Sequence, residues 1–335
     1  MRKDWLHFYQ MDFVQERSNY PKIITEAQGC YVVDCDGKSY FDSLSGAFCV
    51  NLGYGNTTLL AAGYEAAKKL HFASPFSVAH DQAIALADKI SNSLIQVFNQ
   101  ESHVFFTNSG SEAIDTALKI ALAVFRKRGE DRQFFISIEN SYHGTTFGAA
   151  SISGYEGCRS QTGNLYQEVL FAPSSSSCQA EDYTELDAFL KNLPIDPSQV
   201  AGVIIEPMEN SAGNYPLPQA YITVIDNFCK QHGILLIVDE VITGFGRLGC
   251  QWGIAEYAIE PDIIVSSKGL TSGYDSLGAT AVKKSLEINN KTLRRLKNPK
   301  LPVPNLRPPL LQTNSLIFHG LNRCSPRFQE RINSS

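Results

Sequence analysis

At 335 residues, 43% of them hydrophobic and 10% aromatic, the chain is long enough for a full core, arranged as one large domain or two smaller ones. It has no run of about 18 apolar residues, and its opening "MRKDWLHFYQMDFVQ" lacks the apolar stretch and cleavage site of a secretion signal, so a cytoplasmic location is expected. The net charge of −5 is uneven: of 29 basic and 34 acidic residues, eleven and two lie from Lys283 onward, leaving 18 against 32 in the first 282.

In chain order, the first 45 or so residues read as a strand-rich entry, with Asp36-Gly37 a hairpin turn between "YVV" and "SYF". Cys30 and Cys35 flank that hairpin. None of the eight cysteines forms a C-x-x-C pair, which argues against a zinc site and for buried free thiols; no metal is expected. "HVFFTNSG" is a short apolar strand running into a turn. In "SEAIDTALKIALAVFRKRG", Ile114, Ala117, Leu118, Ala121, Leu122 and Phe125 share one helical face, with Ser111 and Glu112 at the start and Arg126 to Gly129 at the end. "QFFISIE" and "AGVIIEP" are strands, "YITVIDNFCKQHG" is a helix closed by glycine, and "ILLIVDE" and "DIIVSS" are two more buried strands. Apolar strands separated by helices imply an α/β domain, a mainly parallel sheet covered on both faces.

In such sheets ligands gather beyond the carboxyl ends of the strands, so functional residues are expected at those ends. "HVFF" leads to Thr107-Asn108-Ser109-Gly110-Ser111 at a helix N-terminus, either a phosphate cradle or a plain serine cap. "QFFISIE" leads to Tyr142 and His143, an aromatic face and an imidazole, or else a packed tyrosine and a satisfied histidine. "ILLIV" ends in Asp239-Glu240, and a carboxylate after five aliphatics needs a partner or caps the next loop. "DIIVSS" delivers Lys268, whose amine becomes a Schiff-base nucleophile if its surroundings are apolar. Taken together, a cradle, an aromatic, an acid and a lysine at the ends of one sheet meet the needs of pyridoxal 5'-phosphate.

"FTNSGSEAIDTALKIA", "SYHGTTFGA", "IIEPM", "LLIVDEVITGFGRLG" and "PDIIVSSKGLTSGY" resemble the class-III pyridoxal-phosphate-dependent aminotransferases, fold-type-I homodimers, from about residue 5 to about 285. "DWLHFYQ" and "LSGAFCVNLGYGN" resemble their ω-amino acid or amine–pyruvate branch. The resemblance implies that Gly110 and Ser111 bind the phosphate, Tyr142 stacks on the ring beside His143, Asp239 pairs with the ring nitrogen, and Val241 packs on the other face. It makes Lys268 the residue that forms the aldimine and moves the proton, places Glu206 behind the ring, and sets Phe48 in the amine pocket. Ser211 stands where branches using ornithine or 4-aminobutyrate often carry a glutamate, which leans toward amine or ω-amino acid donors and pyruvate. Decarboxylase, racemase and aminomutase chemistry uses the same lysine and aspartate.

Departures follow the lysine. Ser276 replaces a usual proline, and "LPVPN" stands near residue 301, where the family has "TYSGHP". The basic segment after Glu287 holds six of the fifteen prolines and no periodic pattern, which reads as an unfolded tail. Such a swing is what a frameshift, retained intron or alternative exon would produce. The expected organisation is thus 1–45 as part of a small domain, 46–285 as the cofactor-binding domain, and 286–335 as a divergent tail. The alternative to an active aminotransferase is an impaired, truncated relative that at most binds the cofactor. The tail lacks interleaved aromatics, so neither nucleic acid nor membrane is expected as a partner.

Overall fold

The computed structural model describes residues 23–75, 77–159, 166–177 and 183–286. The "DWLHFYQ" motif and the tail from Glu287 lie outside the described residues. Three strands, β1 (Ile24–Gln28), β2 (Tyr31–Asp34) and β3 (Ser39–Phe41), form an antiparallel sheet. Its β2–β3 turn is held by Asp34, whose Oδ1 accepts the N–H groups of Asp36 and Lys38, and by Gly37 at φ +80°. Cys30 and Cys35 are exposed here, so the expectation of buried thiols fails at both: this small sheet leaves its hairpin in solvent.

The main sheet has seven strands: β4 (Ser102–Thr107), β5 (Phe134–Ile138), β6 (Val169–Ala172), β7 (Val200–Ile205), β10 (Leu235–Asp239), β11 (Ile263–Ser266) and β12 (Gly278–Lys283). A two-residue ribbon, β8 (Met208–Glu209) with β9 (Tyr215–Pro216), stands apart. The order across the large sheet is β4-β12-β11-β10-β7-β5-β6, and β12 is antiparallel to both neighbours while the other pairings are parallel. "GATAVK" was not read as a strand, because its small residues carry no aliphatic run; pairing on both edges makes it one.

Period-two alternation sorts the sheet's side chains. Ile136, Ile138, Val203, Ile205, Leu236, Val238, Ile264, Ala279 and Ala281 share one core with Leu94, Phe98, Tyr221, Ile222, Ile225 and Trp252. Each Ile, Leu or Val among them contributes about 1.5–3 kcal/mol when fully buried. The opposite face carries the helix Gly110–Arg128, whose Ala113 carbonyl accepts from Thr280 Oγ1 at 2.8 Å.

With α1 as Thr57–Lys69 and α2 as Asp81–Ser93, that helix is α3, and α4 (Phe147–Ile152) packs on its outer side. This is why α3 is buried more widely than one stripe: Ala113, Thr116, Ile120 and Val124 join the expected face, while Leu122 is only half-buried. Its N-cap is Ser109, whose Oγ accepts from Glu112 N at 3.2 Å, so Ser111 sits inside the first turn; Gly129 ends it at φ +81°. Two later helices complete the cover, α5 (Thr184–Lys191) and α6 (Gln219–His232). Among the described residues no helix is long and apolar enough to cross a membrane.

Candidate active site

Because β4, β5, β7, β10 and β11 run the same way, their carboxyl ends lie on one edge of the sheet, and five loops meet there. Gly110 and Ser111 follow β4, Tyr142 and His143 follow β5, Glu206 follows β7, Asp239 ends β10 with Val241 after it, and Lys268 follows β11.

The acid is the most tightly held. Asp239 ends an all-buried strand, and its Oδ2 lies 2.8 Å from His143 Nδ1, while its Oδ1 accepts from Val241 N at 2.9 Å. Both side chains of the pair are closed to solvent, His143 fully and Asp239 at 5% exposure. A carboxylate oxygen has two lone pairs, so Asp239 retains capacity for a further donor. His143 Nε2 is buried without a partner among the described residues. Glu240, next in sequence, is turned away: it accepts from Thr243 Oγ1, Gly253 N and Ile254 N, and so closes the following loop. The two acids of "DE" therefore divide the roles the sequence left open.

Glu206 sits behind this pair. Its Oε2 accepts from Tyr142 N at 3.3 Å and its Oε1 from Asn210 Nδ2 at 3.0 Å, so it ties the β5 loop to the β7 loop. Burial pushes its carboxyl up to about 7; Asp239 adds to the rise, and His143 opposes it. A carboxyl raised from 4.5 favours the folded state fully below 4.5 and loses that contribution as pH rises through about 7. The loss is on the order of 3 kcal/mol. Glu206→Gln should therefore gain on the wild type in thermal unfolding between pH 5 and pH 8; a gap that does not change with pH would refute the protonated carboxyl.

The cradle is built by close approach. A Cβ on Gly110 would stand 3.1 Å from Val241 Cγ2 and 3.3 Å from Ser267 Cβ, so α3 begins hard against the β10 and β11 loops. Ser111 Oγ accepts from Thr145 N at 3.1 Å, and a Cβ on Gly144 would meet that oxygen at 2.3 Å, which draws the β5 loop onto the first turn of α3. First-turn N–H groups have no intrahelical acceptor, and the helix dipole makes this end positive.

Lys268 has φ +31° and opens a short turn in which Leu270 N donates to Ser267 O and Ser272 N to Lys268 O. Left-handed backbone on a side chain of this size costs about 1–3 kcal/mol and is held only by its surroundings. Burial lowers the Lys268 ammonium below the usual lysine range, while Cys49, Asp239 and Glu206 oppose that and Arg247 reinforces it. Its Nζ lies 5.6 Å from the centre of the Phe48 ring.

Phe48 arrives on an unusual stretch: Ser45, Gly46, Ala47 and Phe48 all have φ between +54° and +66°, one turn of left-handed helix closed by Phe48 N donating to Leu44 O at 2.9 Å. At about 1–2 kcal/mol for each non-glycine residue, this turn needs external support. Asp42 accepts from Leu44 N and Gly46 N, and Arg247 donates to Phe48 O and to Asn51 Oδ1. Asp42, Asn51 and Arg247 are contributors that sequence reading did not single out, although "LSGAFCVNLGYGN" contains Asn51 and "LLIVDEVITGFGRLG" contains Arg247.

An aminotransferase class-III family model matches residues 13–292. An uncharacterized aminotransferase of Bacillus subtilis, YhxA, is 39% identical over 272 residues, 79% of this chain and 59% of that protein. An omega-aminotransferase of Caulobacter vibrioides is 34% identical over 289 residues, 82% of this chain and 65% of that protein. The chain thus spans about three fifths of the length of these relatives. Among solved structures, an amine transaminase from an uncultivated Pseudomonas species, in a pyridoxal-phosphate-bound form, superimposes with a TM-score of 0.78 at 29% identity, over 86% of this chain and 67% of that one.

Proposed function

The chain belongs to the class-III aminotransferase family, and from that premise we propose that it binds pyridoxal 5'-phosphate at the carboxyl edge of its large sheet and transfers an amino group. The donor is an amine or ω-amino acid, and the acceptor is a 2-oxo acid such as pyruvate. The observation that carries this reading is the convergence of a desolvated lysine, a buried Asp239–His143 pair and the start of α3 on one edge.

The residues present fit the cofactor. The side-chain-free wall at Gly110 and the N-terminus of α3 suit a phosphate, and Asp239 suits a protonated ring nitrogen. Tyr142 and Val241 supply the two faces, and Glu206 holds Tyr142 by its backbone. When bound, pyridoxal phosphate supplies a reactive aldehyde carbon and a cationic ring that accepts electron density. Burial lets Lys268 Nζ shed its proton more readily, so its free amine can act first as nucleophile and then as the base and acid that carries a proton across the donor carbon. Asp239 stays fixed in register because both oxygens are tied, to His143 and to Val241 N. Phe48 covers the lysine on the donor side. The full chain, supplied with the cofactor, a primary amine such as putrescine or β-alanine, and pyruvate, should form alanine. No alanine with any donor would leave the alternative, a relative that only binds the cofactor.

The same reading includes a second copy of the chain. Helix α1 has no buried residue, and Leu60 and Tyr64 are 54% and 67% exposed. A 13-residue helix is marginal alone in water, and Leu52, Phe72 and Val78, which flank it in sequence, are exposed as well. We assign this face to a homodimer contact. Tyr64→Glu should raise the dimer dissociation constant about thirtyfold or more, read by size-exclusion with light scattering. Unchanged dimer mass at low micromolar concentration would place the contact elsewhere.

A further inference from the structure

The guanidinium of Arg247 is the feature of this site that the reaction itself does not use. It comes from the "FGRLG" turn, which is held at its base: the Phe245 ring packs at a tilt on the buried Trp252, centroids 4.9 Å apart, Trp252 Nε1 donates to Ser93 Oγ at 3.1 Å, and Phe245 N donates to Gln251 O at 2.8 Å. Gly246 and Gly249, at φ +90° and +92°, let the turn reverse tightly on either side of the arginine.

From that base one guanidinium nitrogen reaches across nearly 200 residues of sequence to two acceptors, Phe48 O at 3.0 Å and Asn51 Oδ1. Its carbon stands 5.8 Å from the Phe48 ring centre. Asn51 in turn donates to Phe245 O at 3.3 Å, and it lies so close to Gly269, the neighbour of Lys268, that a Cβ there would meet Asn51 Nδ2 at 2.6 Å. The clamp is continued by Leu52 N donating to Ser272 Oγ and Asn56 N donating to Tyr274 Oη. Among the described residues Arg247 Nε is buried without a partner, a cost that fits a residue placed for position more than for stability. The turn it holds has little packing of its own, since Leu44, Gly46 and Ala47 are exposed.

We propose that Arg247 is a positioning residue that pins the left-handed turn bearing Phe48 over Lys268, and so sets how bulky a donor amine the site admits. This rests on the aminotransferase reading for the word donor, but the clamp itself does not. Strained backbone persists only where its surroundings over-determine it, so releasing the Phe48 carbonyl lets Ser45–Phe48 relax toward right-handed values and moves the ring off the lysine. A lysine at 247 keeps the charge but presents it on a strongly hydrated, freely rotating ammonium in place of a planar nitrogen with fixed N–H directions, and so holds the same two acceptors less firmly.

The test uses the full chain carrying Arg247→Met or Arg247→Lys. Without cofactor, peptide-level hydrogen exchange over residues 42–54 should quicken at least about tenfold in Arg247→Met and less in Arg247→Lys, while Leu235–Asp239 stays protected. With cofactor and pyruvate, the ratio of kcat/KM for 1-phenylethylamine to that for β-alanine should shift about tenfold, mainly through KM. Phe48→Ala should shift the same ratio, and the double variant should go no further than one of them. Unchanged exchange over 42–54 overturns the clamp. Effects that add, or an equal fall in kcat for both donors, overturn the role in selecting the donor. A wild type with no turnover and no lysine-dependent cofactor absorbance overturns the function proposed above, while the exchange result still decides the clamp.

Discussion

Lys268→Ala should abolish the visible absorbance that added pyridoxal phosphate acquires on bonding to the chain, and lower alanine formation at least about a thousandfold. Two losses combine to give this figure: the nucleophile, and the base that moves the proton, the latter alone worth about 10²–10⁴. The fold should tolerate the change. Lys268 is only partly buried, and its removal relieves a desolvated ammonium, while the left-handed backbone stays and costs alanine much what it costs lysine. Unfolding temperature close to wild type, with absorbance and turnover gone, is the expected pair of results. Absorbance that survives in Lys268→Ala would move the covalent site to another lysine and sink the assignment.

Asp239→Asn should lower turnover about 10²–10³-fold with a small loss of stability, and Asp239→Ala should lose both. Asparagine keeps one carbonyl oxygen for either His143 or Val241 N but carries no charge for a cationic ring. Alanine leaves a fully buried imidazole without its carboxylate, a loss of about 3 kcal/mol. In a chain of this size that corresponds to roughly 4–6 °C in unfolding temperature. Steady-state kinetics and calorimetry on both variants separate the two effects. Asp239→Asn within tenfold of wild type would show that the charge at this position does not matter to the reaction.

The sequence by itself determined the α/β class, five large-sheet strands from "HVFF" to "DIIVSS" but not β6 between them, and the residues at their ends. That information is local: an aliphatic run buries, a helix pattern repeats at 3.6 residues, and a polar residue directly after a buried strand has nowhere else to go. Lys268, Asp239 and Gly110 were legible for this reason. So was the reach of α3 to Gly129, though not its cap at Ser109, because three serine or threonine neighbours compete there and only backbone geometry chooses among them.

What the tertiary structure decided is everything that depends on a partner far along the chain. "GATAVK" becomes a reversed strand because β4 and β11 both offer it an edge. His143 is tied to Asp239 across 96 residues, Glu206 to Tyr142 across 64, and Arg247 to Phe48 across 199. The left-handed turn at Ser45–Phe48 has no signal in "SGAF", whose three non-glycine residues disfavour it; it exists because hydrogen bonds from distant elements outweigh the local preference. Local propensity spans about 1 kcal/mol per residue, whereas a buried, charge-assisted contact is worth about 1.5–3, so where the two conflict the fold prevails over the sequence pattern.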